Sequence, residues 1–166
     1  MKSAKSTGDL ARYIASFFGE HLPLRIGASR HTILAYRDAW KLWLPFVANR
    51  MGRAVTELSV TDLDVKIALA FLDSLESDRH NTVATRNHRR SALHAFFRYL
   101  GSVAPEYLDH CRSILTIPVK RMPHHTVDYL ERDEVDALLR HVDRRTSHGR
   151  RNYALLAFLY NTGARV

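Results

Sequence analysis

The sequence predicts an all-α protein: a helical bundle, followed by a basic linker and the first helices of a second, truncated domain. Apolar residues recur at helical spacing along almost the whole chain, and no segment alternates convincingly as a strand does. Hydrophobic residues make up 46% of the 166, which is enough to bury a core. A proline-containing basic stretch at residues 116–127 interrupts the helical pattern and predicts the boundary between the two parts.

The first two helices are predicted on either side of a short connection. Residues 7–21 carry the first apolar stripe, and residues 22–29 contain a proline and a glycine that favour a connecting segment. Ser29 is a suitable N-cap for the second helix, whose wide apolar stripe includes both tryptophans. Pro45 lies inside that stripe and predicts a kink or an early stop, and Gly52 closes the segment.

Three more helices complete the predicted bundle. Thr61 is expected to cap the third helix, which ends in a polar stretch at residues 76–80. The fourth is predicted over residues 81–100, with Gly101 as its C-terminal stop. A short fifth helix follows over residues 105–115, because proline is favoured in the first turn of a helix.

Two helices are predicted beyond the linker. One covers residues 131–142, and the other begins near Gly149. The predicted organisation is therefore a helical domain at residues 8–104, a short helix and basic linker at residues 105–127, and an N-terminal fragment of a second domain at residues 128–166.

The charge balance predicts a polyanionic partner. Lysine and arginine total 25 against 17 for aspartate and glutamate, giving a formal net charge of +8. Such an excess favours DNA, RNA or an anionic membrane surface. The single cysteine, Cys111, excludes an intrachain disulfide and suits a reducing compartment. No apolar run approaches the ~20 residues of a membrane span, and no secretory signal is recognisable. We therefore expect a soluble, cytoplasmic protein without a membrane partner.

The predicted fourth helix is the first candidate for nucleic-acid binding. It carries several arginines but no acidic residue between residues 79 and 100. Three arginines are expected on one side of this helix, away from Phe96 and Phe97, where they could neutralise phosphates. A solvated helix face without acids remains the alternative. The candidate contacts on this helix are Thr82, Thr85, Arg86, Asn87, Arg89 and Arg90.

Two further basic segments add candidate contacts. Arg30, Arg37 and Lys41 lie at helical spacing on the polar side of the second helix, either as a second contact or as ordinary surface charge. Lys120 and Arg121 contribute the charge of the linker. A third basic cluster lies between the last two helices, where it could contact phosphates or simply keep a loop soluble.

The histidines and the cysteine do not form a metal-site pattern. His110 and Cys111 are adjacent, as are His124 and His125, but no second pair stands at zinc-like spacing. No glycine-rich phosphate loop is present either. The sequence predicts neither a metal nor another cofactor.

Three stretches together resemble the tyrosine recombinase (phage integrase) family. Residues 29–47 are similar to the opening of that family's core-binding domain, in which a threonine is followed four residues later by a tyrosine, here Thr32 and Tyr36. Residues 81–100 resemble the last long helix of the same domain. At the end of the chain, residues 160–165 read YNTGAR and match the family's T-G-x-R box after a long apolar helix.

The resemblance implies a SAM-like core-binding domain that forms one jaw of a clamp around duplex DNA, joined to the start of a catalytic domain. Arg165 would be the first catalytic arginine, whose guanidinium stabilises charge on the scissile phosphate during attack by a tyrosine. The family's catalytic lysine, HxxR box and nucleophilic tyrosine are absent from this sequence, so we expect no strand cleavage by this chain alone. Full-length relatives assemble as tetramers on DNA, whereas this chain is expected to be mainly monomeric.

The resulting hypothesis is duplex DNA binding as the N-terminal part of a site-specific recombinase or integrase, close to the nucleoid. The alternative is a stand-alone, truncated DNA-binding regulator or decoy without recombinase activity. A helical RNA-binding or protein-interaction bundle is the third possibility. It predicts no preference for duplex DNA with inverted-repeat half-sites.

Overall fold

The structure is a computed structural model that describes residues 8–122 and 129–164. Within these two ranges every regular element is helical and no strand occurs, which confirms the predicted all-α class. The chain divides into two compact units between residues 122 and 123. No helix in the described ranges combines the length and the apolar character that a membrane span requires.

The described part of the first unit holds five α-helices, and that of the second holds two. Two 3-10 turns, Val55–Glu57 and Val60–Asp62, precede α3, and one, Pro105–Tyr107, precedes α5. The helices are α1 (Asp9–Ser16), α2 (Arg30–Met51), α3 (Val65–Ser77), α4 (Val83–Val103), α5 (Leu108–Leu115), α6 (Arg132–His141) and α7 (Ser147–Thr162).

The connection predicted at residues 22–29 is partly wrong, because helix continues into it. α1 passes directly into a π-helical segment, Phe17–Arg25, which contains Pro23. Three buried apolar side chains hold this segment against the core, among them Phe17 with no exposed surface. Their burial offsets the one amide N–H that proline lacks. The turn into α2 comes later, at Gly27, whose φ is 65°.

The predicted ends of α2 are confirmed. Ser29 Oγ caps the helix by accepting the amide three residues further on at 3.2 Å, and Gly52 ends it with a φ of 62°. Pro45 does not stop the helix. Trp43 and Val47 are fully buried on either side of the proline, so core packing carries the helix through it.

The predicted cap of α3 is wrong. Thr61 lies in a 3-10 turn, and Asp64 is the N-cap, with its Oδ1 accepting the amide of Ile67 at 2.8 Å. The buried Asp62 closes the preceding turn by accepting the amide and the hydroxyl of Ser59 at 2.8 and 2.7 Å. The aspartates therefore take the acceptor role that the prediction gave to the threonine.

α4 is longer than predicted. Thr82 caps its N-terminus, but Gly101 does not end the helix, which runs on to Val103. A Cβ at Gly101 would lie 3.4 Å from Leu108 Cδ1 and 3.5 Å from Cys111 Cβ. The glycine therefore allows α4 and α5 to approach closely and does not terminate the helix.

α2 and α4 pack side by side and run in the same direction. Near their beginnings, Arg89 Nη1 donates to the carbonyl oxygen of Ala35 at 3.0 Å. Further along both helices, the rings of Trp40 and Phe96 have centroids 4.5 Å apart. The N-termini of α2 and α4 therefore lie at one end of the bundle, which is called here the Arg30–Thr82 end. The aromatic contacts between these helices form the centre of the core.

The second unit confirms both predicted helices. α6 begins after Glu131, whose amide N–H donates to the carboxylate of Glu134 at 2.9 Å. α7 is capped by Thr146, which accepts the amide of Gly149 at 3.0 Å. A Cβ at Gly149 would overlap the carbonyl oxygen of Asp143, so only glycine fits at this position.

Candidate nucleic-acid interface

Three of the four arginines of α4, namely Arg86, Arg89 and Arg90, lie on the side of the helix that faces the core. Arg86 precedes Leu93 by seven residues, and Arg90 precedes Phe97 by seven, and such a step returns to nearly the same helix face. Leu93 and Phe97 are buried, and Arg86 is only 6% exposed. The predicted orientation away from Phe96 and Phe97 is therefore wrong, because the arginines continue the core stripe toward the N-terminus.

Arg86 is held by two carboxylates of α3. Its Nε lies 2.9 Å from Oε1 of Glu76, and its Nη2 lies 3.5 Å from Oδ1 of Asp73. The Glu76 side chain is 23% exposed and the Asp73 side chain 71%, so water screens the pair with Glu76 far less. α4 has no acidic residue of its own, and the carboxylates that pair with Arg86 come from the neighbouring helix α3.

Arg89 and Arg90 donate to backbone carbonyl groups. Arg89 Nη1 reaches the carbonyl oxygen of Ala35 on α2, and Arg90 Nε reaches that of Ile117 at 2.7 Å. Burial lowers the pKa of Arg90, and the nearby positive charge of Arg86 lowers it further. The two guanidinium groups therefore tie α4 to α2 and to the chain that follows α5.

Residues 117–122, called here the strap, run back along α4. Asn87 Nδ2 donates to the carbonyl oxygen of Lys120 at 2.8 Å, and the amide of Lys120 donates to Asn87 Oδ1 at 3.0 Å. The Lys120 ammonium also lies 2.9 and 2.8 Å from the two carboxylate oxygens of Glu76. The first half of the predicted linker is thus docked on the bundle by side chains that were predicted to contact DNA.

The basic residues of α2 are exposed, as their spacing predicts. The Arg37 guanidinium carbon lies 5.9 Å from the ring centroid of Phe18. Lys41 Nζ lies 3.6 Å from Asp38 Oδ1, with both side chains more than half exposed. Such a surface pair holds the ammonium weakly, so Arg37 and Lys41 remain open to a partner.

The Arg30–Thr82 end gathers the exposed polar groups of several elements. Arg30 begins α2, and the exposed Thr82 caps α4 by accepting the amide of Thr85 at 3.3 Å. The strap continues past Asn87 toward this end with the exposed Arg121. Two positive helix N-termini and the exposed cations Arg30 and Arg121 therefore share one surface.

Sequence reasoning missed Glu76 and Asp73 as partners of the arginines. The available signal was the short connection between the third and fourth helices, which predicts an antiparallel pair of neighbours. Such a pair brings the last turn of α3 beside the first turn of α4. The contact of Glu76 with Lys120 had no local signal, because 44 residues separate them.

His94 is a buried polar residue whose place in the core was not predicted from the sequence. It is buried on the core side of α4 and is 7% exposed. Burial, with the nearby charges of Arg90 and Arg98, lowers the pKa of His94 from 6.5 to about 4. The imidazole is therefore neutral near pH 7 and does not add to the positive surface.

In the second unit, the predicted catalytic Arg165 lies outside the described residues. α7 ends at Thr162, and Gly163 follows with a φ of 61°, a left-handed turn that suits glycine. In the basic cluster before α7, the Arg144 guanidinium carbon lies 4.3 Å from the ring centroid of Tyr153.

The described residues contain no group of three or more His, Cys, Asp or Glu side chains that could hold a metal ion. Cys111 is buried, and burial raises the pKa of its thiol to about 11. His124 and His125 lie outside the described residues.

Comparison with known proteins gives the family. Residues 15–102 match the family described as phage integrase, N-terminal SAM-like domain. The integrase/recombinases y4rD and y4rC of Sinorhizobium fredii are 39% and 40% identical to the chain over 157 residues, which is 95% of the chain. The tyrosine recombinase XerC of Oceanobacillus iheyensis is 30% identical over 158 residues, again 95% of the chain. No solved structure matches.

The chain therefore belongs to the phage integrase, or tyrosine recombinase, family. Its first unit carries the SAM-like helical domain of that family, as the resemblance implies. The alignments cover 56%, 47% and 48% of the three relatives, so the chain spans about half of their length.

Proposed function

We propose that the chain binds duplex DNA as the N-terminal part of a site-specific tyrosine recombinase, in the service of DNA recombination and integration. The observation that carries this proposal is the Arg30–Thr82 end, where two helix N-termini and exposed cations share one surface. Helix N-termini attract phosphate oxygens, and exposed arginine side chains can reach the same oxygens. The relatives named as integrases and recombinases make DNA the polyanion that fits best.

The proposed DNA contacts are divided between two helices and the strap. Arg30, Thr82 and Arg121 are exposed at the same end and supply the first contacts. Arg37 and Lys41 extend the surface along α2, seven and eleven residues after Arg30 on its exposed side.

In this proposal the other predicted DNA contacts of α4 hold the surface in place and do not touch DNA themselves. Arg86, which is itself buried, would have to leave the carboxylates of Glu76 and Asp73, and Arg89 and Arg90 would have to leave backbone carbonyls. Asn87 is committed to the strap in the same way. Leaving such polar groups without partners costs about 1–3 kcal/mol each, which a solvated phosphate contact does not recover. Thr85 stands half-buried behind Thr82 and stabilises the cap.

The strand-exchange step is assigned to Arg165 and to catalytic residues that this sequence does not contain. Under this assignment the chain binds its site without cleaving it. An Arg165→Ala change should leave duplex binding intact and abolish cleavage in a longer chain with a complete catalytic domain. Cleavage by that longer variant would overturn the assignment of the T-G-x-R box.

We further propose that the chain acts on the nucleoid in the cytoplasm and is mainly monomeric by itself. Assembly into tetramers belongs to full-length relatives on paired sites. Sedimentation of the chain with a duplex that carries one selected half-site should give one chain per site. Stable tetramers without DNA would contradict this assignment.

Selection from random duplex DNA at two salt concentrations tests the proposed function. We expect one enriched sequence motif, bound more weakly at the higher salt because phosphate contacts release counterions. Single-stranded RNA of the same composition serves as the competitor. Equal retention of RNA and duplex, or no enriched motif, would contradict site-specific duplex binding and favour a general polyanion-binding bundle.

A further inference from the structure

Glu76 is shared by two cations that come from different parts of the chain. Its Oε1 lies 2.9 Å from Arg86 Nε, and both of its carboxylate oxygens lie within 2.9 Å of Lys120 Nζ. Arg86 is buried, whereas the Lys120 side chain is half exposed. Arg86 therefore fixes the carboxylate in place, and Lys120 is the cation that can leave it.

In its other contacts the strap uses only backbone groups, which carry no net charge. Asn87 and the Lys120 backbone exchange two hydrogen bonds, and Ile117 accepts from Arg90. The charged contact with Glu76 is the part of this docking that another anion could replace. DNA phosphate is such an anion, and Lys120 lies next to Arg121 on the proposed DNA surface.

We propose that Glu76 is a positioning residue that holds the strap and withholds Lys120 from DNA. On duplex binding, a phosphate takes the Lys120 ammonium from Glu76, and the strap loosens at Lys120. The inference rests on the proposed DNA binding. It adds that DNA binding is coupled to the docking of the strap, the segment that leads along the chain toward the second unit. By thermodynamic linkage, strap docking must weaken DNA binding by the same factor by which DNA weakens docking.

Neutralising Glu76 while keeping its shape tests the competition. In Glu76→Gln, duplex affinity should rise by about fivefold or more, and the slope of log affinity against log salt should steepen by about 0.9, the value of one added phosphate contact. Asp73→Asn is the matched control, because it removes the same charge from α3 at a carboxylate that pairs with Arg86. An equal gain in both variants would overturn the proposal, since the effect would then be general charge repulsion.

A double change identifies the cation. The affinity gained by Glu76→Gln should vanish when Lys120→Ala is also present, because the gain requires the released ammonium. A full gain in the absence of Lys120 would show that Glu76 acts through another group and would overturn the proposal.

Amide hydrogen exchange of the strap gives a readout that does not depend on affinity. The Lys120 amide should exchange faster in the DNA complex than in the free chain. The Asn87→Ala variant loosens the strap without changing any charge, and its Lys120 amide should exchange faster still. Slower exchange on DNA binding would overturn the release of the strap. If the unaltered chain bound no duplex, the proposed function and the competition would both fail. If it bound duplex while Lys120 exchange stayed constant, only the strap inference would fail.

Discussion

Replacement of Arg86 by alanine tests whether this arginine belongs to the fold or to the DNA interface. Removing one partner of a buried ion pair costs about 3–5 kcal/mol when the remaining charge is stranded. Glu76 would not be stranded, because its side chain is 23% exposed and Lys120 Nζ stays 2.8 Å from Oε2. We therefore expect Arg86→Ala to lower the free energy of unfolding by about 2 kcal/mol, from lost packing and the weaker contact to α3.

Urea unfolding followed by tryptophan fluorescence measures this loss, because Trp40 and Trp43 are buried in the core that α4 completes. Arg98→Ala is the matched control. Arg98 is exposed on the same helix, and its removal should change the free energy of unfolding by less than about 0.5 kcal/mol. The duplex affinity of folded Arg86→Ala should stay close to that of the unaltered chain. Equal stability of the two variants, with duplex binding lost only in Arg86→Ala, would refute the structural role.

Three further predictions follow from local geometry. The folded chain keeps the pKa of His94 at about 4, while the pKa in the unfolded chain is 6.5, so the unfolded state binds the extra proton between these values. The free energy of unfolding should therefore fall by about 2.5 kcal/mol as pH drops from 6.5 to 4. His94→Gln should remove that part of the pH dependence in urea titrations, and an unchanged profile would count against it. Asp64→Ala should lower the free energy of unfolding by about 1 kcal/mol, and Thr61→Ala should lower it much less. A larger loss for Thr61→Ala would show that Thr61 is the cap after all. Gly149→Ala should speed amide exchange at the start of α7, because the added Cβ displaces the Asp143 carbonyl group, and unchanged exchange would contradict that overlap.

Much of the fold could be predicted from the sequence because it depends on local signals. The N-cap at Ser29 and the left-handed turn at Gly52 follow from residue type and helical spacing. Pro23 and Gly101 misled the prediction, because packing of their neighbours overrides the preference of the residue itself. Thr61 misled it for a different reason, since Asp64, three residues later, is the residue that caps α3.

The candidate site was predicted less well, for two separate reasons. The orientation of Arg86 could have been derived, since its seven-residue spacing from the buried Leu93 puts both on one helix face. The sharing of Glu76 with Lys120 could not, because 44 residues separate the two. Absence of acids within one helix is therefore weak evidence for an open basic surface.

The salt dependence of duplex binding for two single variants tests the central claim most directly. Arg30 is exposed, and Arg89 is tied to the carbonyl oxygen of Ala35. The account predicts that Arg30→Ala lowers the magnitude of the slope of log affinity against log salt by about 0.9, whereas Arg89→Ala leaves it unchanged. If Arg89→Ala lowered this slope and Arg30→Ala left it unchanged, the account would be contradicted. Residues bonded within the fold would then contact DNA, and exposed residues would not.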